Sequence, residues 1–159
     1  MDHYDIAQIC LNGHCITSCA QSNSQRCKDF CPSCGQPTIT TCPQCGASIP
    51  GRYHMDGVCD FSEYEIPKYC SNCGSAYPWT EAAIQATAEL LALEDNWTVE
   101  QTQFLVDSLP DLITNTPKTK LAIVKFKKLL STASHITVEG IRQFAIDFGC
   151  ELVKQQLGI

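Results

Sequence analysis

The sequence has no apolar run approaching the roughly 20 residues that cross a bilayer. Its first ten residues, MDHYDIAQIC, are polar and acidic where a secretory leader is basic and then apolar. Both lacks point to a reducing, cytoplasmic compartment and no membrane association. Basic residues are scarce too: 11 Lys and Arg stand against 17 Asp and Glu, a formal charge of −6. The two halves share the shortage, with 4 basic against 7 acidic side chains in residues 1–79 and 7 against 10 in residues 80–159. Proteins that grip phosphate backbones carry an excess of Lys and Arg, so nucleic acid is disfavoured as a partner. Catalytic signatures are missing as well. There is no G-x-S-x-G, no phosphate-cradling glycine loop and no H-E-x-x-H. Histidine is limited to His3, His14, His54 and His135. Of these, His3 falls in a terminus, His135 in a helix linker, and His54, beside Asp56, in an expected turn. The adjacent acids Glu94 and Asp95 read as a helix end rather than an acid–base pair.

What the chain has in abundance is cysteine. Eleven of its twelve lie in residues 1–73, and Cys150 stands alone. Three pairs share one pattern, C-x-x-C followed at once by glycine: Cys31 and Cys34 with Gly35, Cys42 and Cys45 with Gly46, Cys70 and Cys73 with Gly74. A tight turn brings both thiolates of such a pair to one side, and the glycine supplies the positive φ that the turn needs. This is the zinc-knuckle pattern, and its repetition favours metal over disulfides. Two closed zinc sites need eight ligands, and three pairs supply six. The missing pair is read upstream, in Cys10-Leu-Asn-Gly-His14, with a ligand at each end and a glycine to turn on. Cys15 competes with His14; the glycine directly before His14 favours the imidazole.

Spacing identifies the pairs but not their partners. In the sequential arrangement Cys10, His14, Cys31 and Cys34 hold one zinc ion, with a hairpin turning near residues 21–24. Cys42, Cys45, Cys70 and Cys73 hold the other, with a hairpin turning near residues 55–57. Residues 1–79 then form a small zinc-bound β domain, a tandem zinc ribbon with rubredoxin-like knuckles. In the competing arrangement Cys31 and Cys34 join Cys42 and Cys45, and Cys10 and His14 meet Cys70 and Cys73; a cross-braced arrangement is the third. Cys15, Cys19, Cys27 and Cys59 are left as small hydrophobes or spare thiols, with a third metal site as the sharper alternative. No C-x-x-C lies in the βαβ context of a redox motif.

After Trp79 the composition turns helical, so residues 80–159 read as a second domain. Thr80 reads as the cap of a helix over residues 81–93, with Ile84, Ala88 and Leu91 on one stripe. Thr98 and Gln101 form a capping box. The helix they open stops before Pro110 and has Val99, Thr102, Leu105 and Val106 as its apolar face. Thr116 and Pro117 start a third helix, reaching residue 130, that buries Ala122, Phe126 and Leu129 beside Ile123 and Leu130. A last helix from about Thr137 carries Val138, Ile141, Ala145, Phe148 and Leu152 in one long stripe, with Cys150 in its core. Helices this short do not persist alone, so the half is an expected all-α bundle of four helices, packed on one another or on a second chain. Trp79, beside Pro78, reads as a staple onto the first helix. Charge is segregated: residues 81–111 hold seven acids and no base, whereas Lys118, Lys120, Lys125, Lys127 and Lys128 fall in a stretch without an acid. Two solvated faces are the plainer reading, and a basic helix that docks an acidic partner the sharper one.

The segments CLNGH, FCPSCGQPTITTCPQCGASIPG, PKYCSNCGSAYPWT and TPKTKLAIVKFKKLL, in this order, resemble a family of uncharacterised bacterial zinc-ribbon proteins, a domain of unknown function. The resemblance covers the chain from about Tyr4 to Leu157. It implies a bacterial cytoplasmic protein with a metal-bound first half and a helical second half. It also implies His14 over Cys15, through the pattern C-x-x-G-H. It brings no activity and no catalytic residue, and the four extra cysteines depart from the pattern.

Closed zinc sites with four protein ligands supply folding energy and leave no coordination position for water. The leading expectation is a non-catalytic zinc-binding adaptor or scaffold. It holds two zinc ions, meets an unidentified protein partner and self-associates through its helical half. Nucleic-acid binding is the alternative, by analogy of fold, with Arg26, Lys28, Arg52 and Lys68 as its cations and Tyr53, Tyr69 and Trp79 as stacking rings. A zinc-dependent enzyme stands third, because it needs one ligand set to be incomplete.

Overall fold

The computed structural model describes residues 3–55, 62–148 and 150–158, without the side chains of residues 151 and 152. Met55 excepted, the turn expected near residues 55–57 lies outside the described residues, as do Asp56 and Cys59. The chain divides into two compact units, Met1–Ala82 and Ala83–Ile159.

Strands in the first unit are short because cysteine, glycine and proline turns interrupt every alternating stretch. They are β1 (His3–Ile6), β2 (Gln8–Cys10), β3 (Cys15–Thr17), β4 (Thr38–Ile39) and β5 (Pro50–His54). Strands β1 and β5 pair antiparallel, with His3 opposite His54 and Tyr4 opposite Tyr53. A three-stranded antiparallel sheet has the order β3-β2-β4 and sets Ile9 against Ile39 and Cys10 against Thr38. The hairpin expected near residues 21–24 is not formed. Residues 11–14 join β2 to β3 instead, so the Cys10–His14 segment is itself the turn. Asp5 explains where the following segment goes. Its buried carboxylate accepts from the Ile6 N–H (2.6 Å), the Gln21 N–H (2.8 Å), the Ser22 N–H (3.1 Å) and the Ser22 hydroxyl. Burial works to raise its pKa, but these donors outweigh it and hold the carboxyl below its ordinary value. Residues 20–22 are thus tied to β1, and a one-turn 3-10 helix, Ser24–Arg26, follows them.

The core of this unit is small: Ala7, Ile9, Ile49, Tyr77 and Trp79, together with Cys42 and Cys70. Trp79 is not a staple onto a helix. Its ring stacks on Tyr77 with centroids 4.7 Å apart, and its indole N–H donates to the Pro67 carbonyl at 2.9 Å. Both contacts close the first unit.

Six α-helices occur among the described residues, where four were expected: α1 (Pro78–Ala92), α2 (Val99–Val106), α3 (Leu109–Leu112), α4 (Thr119–Leu130), α5 (His135–Asp147) and α6 (Glu151–Leu157). The differences have local causes. Helix α1 opens at Pro78, whose fixed φ suits a first helical position, and Thr80 turns its hydroxyl to the Lys68 carbonyl instead of capping. The Thr98–Gln101 capping box is present, but α2 ends at Val106 and leaves Pro110 in the first turn of α3. Val99, placed on the apolar face, is 83% exposed. Helix α4 starts two residues after Pro117, because the Thr119 hydroxyl donates to the Thr114 carbonyl (2.5 Å) and accepts from the Thr116 N–H, closing the preceding turn first. It buries Ala122, Ile123 and Phe126. The last stripe breaks after Asp147. Cys150, half-buried, stands before α6 and donates its N–H to the Ala145 carbonyl at 2.8 Å.

Glu94 lies just past α1 and turns inward. One carboxylate oxygen accepts from the Ser134 N–H (2.7 Å) and the Thr137 hydroxyl (2.8 Å), at the start of α5. The other accepts from the backbone and side-chain N–H groups of Asn96. An anion at this helix end meets unpaired N–H groups and the positive end of the helix dipole. Led by the Ser134 N–H, these donors pull the Glu94 pKa from an ordinary 4.5 down to about 2. Because the folded value is the lower one, its stabilisation is fully present above pH 4.5 and is lost as pH falls toward about 2. Glu94→Gln is expected to lower the melting midpoint of the helical signal at neutral pH and to flatten its acid dependence in that window. Far-UV circular dichroism across pH checks both, and an unchanged acid profile would count against this role.

Candidate metal centres

The three C-x-x-C-G segments fold alike. In each, the glycine N–H donates to the carbonyl of the first cysteine (Gly35 to Cys31, Gly46 to Cys42, Gly74 to Cys70), every bond at 2.8 Å. The first cysteine's N–H returns to the residue after the glycine, again at 2.8 Å. The flanking residues bridge antiparallel: Phe30 with Pro37, Thr41 with Ser48, Tyr69 with Ala76. The glycines sit at φ +72°, +73° and +75°, a region costly for any residue with a Cβ. The Cys10–His14 turn is a variant. Gly13, at φ +89°, donates to the Cys10 carbonyl at 2.8 Å, and the His14 N–H reaches the Cys10 Sγ at 3.2 Å.

These turns bring eight donors into two groups, Cys10, His14, Cys31 and Cys34 in one and Cys42, Cys45, Cys70 and Cys73 in the other. The grouping follows chain order. In the first group Cys10 Sγ lies 3.7 Å from Cys34 Sγ and 3.4 Å from His14 Nδ1, and Cys31 Sγ lies 3.6 Å from the same nitrogen. In the second, Cys42 and Cys73 sulfurs are 3.8 Å apart and Cys45 and Cys70 sulfurs 3.7 Å. A disulfide needs about 2.05 Å, so these are separate thiols. Sulfurs about 2.3 Å from a tetrahedral centre lie about 3.8 Å from one another, and a sulfur and an imidazole nitrogen lie about 3.6 Å apart. Both groups have the spacing of a tetrahedral four-donor metal site. Each has a buried side, Cys10 with Cys31 and Cys42 with Cys70, and a more open one.

The thiols in each group are not equivalent. Burial works to raise Cys31, but the N–H groups of Ser33 and Cys34 outweigh it and bring it down to about 6. The N–H groups of Cys73 and Asn72 bring Cys70 down to about 6 as well. Cys10 and Cys42 are pushed up, chiefly by burial. Each group thus pairs a readily ionised thiol with a reluctant one, and a cation between them favours the thiolate form of both. Tyr77 marks the second group further. Its ring is wholly buried, and its hydroxyl makes no hydrogen bond with any described residue. A single tyrosine after a knuckle reads as core, so nothing in the sequence singled it out.

The other described cysteines do not join these groups. Cys15 is exposed and outside the first group, so the structure seats His14 there. Cys19 and Cys27 are half-buried. Asp5, Cys19 and His54 do bring one donor atom each within 4.8 Å of one another. The Asp5 carboxylate, however, already accepts four hydrogen bonds from Ile6, Gln21 and Ser22, which marks it as a loop anchor. His54 instead stacks on His3, with ring centroids 5.8 Å apart. Tyr53 and Tyr69, considered as base-stacking rings, sit in strand and knuckle pairings, Tyr53 against Tyr4.

Residues 3–157 match the model of a family described as "Uncharacterized protein conserved in bacteria (DUF2321)". No curated protein and no solved structure matches the chain. Among the described residues, no helix is long and apolar enough to cross a membrane.

The turns can be tested by their glycines. A Cβ on Gly46 meets nothing within 4 Å, so Gly46→Ala carries the backbone cost alone, about 1–2 kcal/mol. A Cβ on Gly13 would lie 2.9 Å from the Trp79 Cβ. Gly13→Ala is therefore expected to destabilise the first unit more than Gly46→Ala. Denaturant unfolding followed by tryptophan fluorescence measures the order, and equal effects would count against it.

Proposed function

The chain belongs to this bacterial family, whose description names no activity, so we propose its function from the two donor groups. Both hold zinc, and the first unit is a tandem zinc ribbon whose metals are structural. The observation that carries this reading is the complete set of four protein donors in each group at tetrahedral spacing. Thiolates with or without one imidazole suit a tetrahedral borderline-soft ion. Sets of four cysteines, or of three cysteines and one histidine, are ordinary structural zinc sites. Zinc there would neutralise charge and cross-link the knuckles. With four protein ligands it has no position for a reacting water, so the protein acts as an adaptor rather than an enzyme.

The adaptor reading looks to the second unit for its contacts. Lys118, Lys120, Lys127 and Lys128 of the α4 region are exposed, and among the described residues none forms an ion pair. Leu121 and Val124 lie between them, 57% and 62% exposed. Glu89, Asp95, Glu100 and Asp107 are exposed on the acidic stretch of the same unit, near Leu93 and Val99 in sequence. Self-association by charge complementarity follows: the basic α4 face of one copy meets the acidic stretch of another. Such exposed pairs are individually weak and act through their number and the apolar side chains between them.

Two measurements test this. Metal analysis of the purified chain is expected to find two zinc ions, and a strong chelator to unfold residues 1–75 while most helical signal survives; unchanged stability in chelator would remove the zinc reading. Sedimentation is expected to find a salt-sensitive oligomer that a Lys120→Glu, Lys127→Glu, Lys128→Glu variant reduces to monomer. A monomer at all salt concentrations would remove self-association and leave the metal reading standing.

A further inference from the structure

A buried phenol without a hydrogen-bond partner is uncommon, because tyrosine enters a core at the cost of desolvating its hydroxyl. Tyr77 is such a phenol, wholly buried with no partner among the described residues. Its ring is not free to turn away. It stacks on Trp79 at an interplanar angle of 15°, Trp79 is tied to Pro67, and the Tyr77 N–H is held by the Lys68 carbonyl at 3.1 Å. It packs in the same core as Cys42 and Cys70. The hydroxyl is thus an unused donor in a core that it shares with the Cys42 and Cys70 thiols, and the Tyr69–Ala76 bridge and the Tyr77–Lys68 bond seat the residue on the Cys70 knuckle.

We propose that Tyr77 donates its hydroxyl hydrogen to the Cys70 thiolate when the second group holds a metal ion, and so slows release of that ion. The proposal rests on the metal-binding reading above and concerns one of the two sites only. A metal-bound thiolate is an anionic acceptor, and a donor on it draws off charge and resists its protonation. In the first group the corresponding donor is a backbone one, the His14 N–H on Cys10. Other side-chain donors of the second group are the Asn72 amide, which reaches Cys45 on its open side at 3.5 Å, and the Ser75 hydroxyl, which serves Cys73. Both groups receive backbone N–H donors, and the second adds side-chain donors, one of which Tyr77→Phe would remove while keeping the ring.

The test is Tyr77→Phe in the full chain, which keeps the ring and its stack on Trp79. Native mass spectrometry counts the bound metals, and transfer to a coloured chelator gives their release rates. Cys34→Ser and Cys73→Ser variants assign the two release phases. Tyr77→Phe is expected to bind two ions, with release from the second group about 10- to 100-fold faster and release from the first unchanged. The cobalt-loaded variant is expected to show a shifted thiolate-to-metal charge-transfer band, which a packing defect alone does not produce. In the unsubstituted protein loaded with cadmium-113, the Tyr77 hydroxyl proton is expected to couple to cadmium through the Cys70 sulfur. Two bound ions with wild-type release, an unmoved band and no coupling overturn the proposal and leave the metal reading intact. A chain that binds no metal overturns both.

Discussion

Thiolates held less than 4 Å apart repel one another, and only a cation among them makes their closeness favourable. The first unit is organised around that constraint. Its strands are two to five residues long, too short to pair stably without help. Its central cluster has few large apolar side chains, and two of its members, Cys42 and Cys70, are donors. Cys10 ends the middle strand of the three-stranded sheet, directly opposite Thr38. Sheet, core and donor groups are therefore one construction. Below about 80 residues an apolar core alone seldom stabilises a fold, and here the sulfur clusters stand where larger aliphatics would otherwise be.

The local part of this construction was legible in the sequence. C-x-x-C-G specifies a turn because a positive φ follows the second cysteine, and Gly35, Gly46 and Gly74 adopt nearly the same angle. The capping box at Thr98 was legible for the same reason, since all its hydrogen bonds lie within four residues. Long-range pairing was not. The partner of β1 is β5, more than forty residues away, and nothing in HYDI announces it. The expected hairpin near residues 21–24 failed because Asp5, an ordinary acid in a short strand, captures Gln21 and Ser22. Helix starts shifted by a few residues wherever a side chain found a distant acceptor, as Thr80 found Lys68.

Buried carboxylates recur as organisers of the fold. Asp5 and Glu94 lie in different units, and each satisfies both oxygens with N–H and hydroxyl donors rather than with a cation. In a chain with 17 acids and 11 bases this is an economical way to seat negative charge indoors. The lysines of the α4 region are then left on the surface, apart from Lys125, which sits over the Phe104 ring and donates to the Ser108 hydroxyl.

The repeated turns also bear on how the first unit comes together. A newly made chain presents eleven thiols within 73 residues, and a free search among them would offer many wrong ligand sets. Each turn removes most of that search by closing a loop of a few residues before any ion arrives, which is the fastest kind of closure. Cys15, Cys19 and Cys27 have no such turn, and a lone thiol makes a poor first capture. An ion bound there would choose among four ready-made pincers, and assembly would become the joining of neighbouring pincers in the order of synthesis.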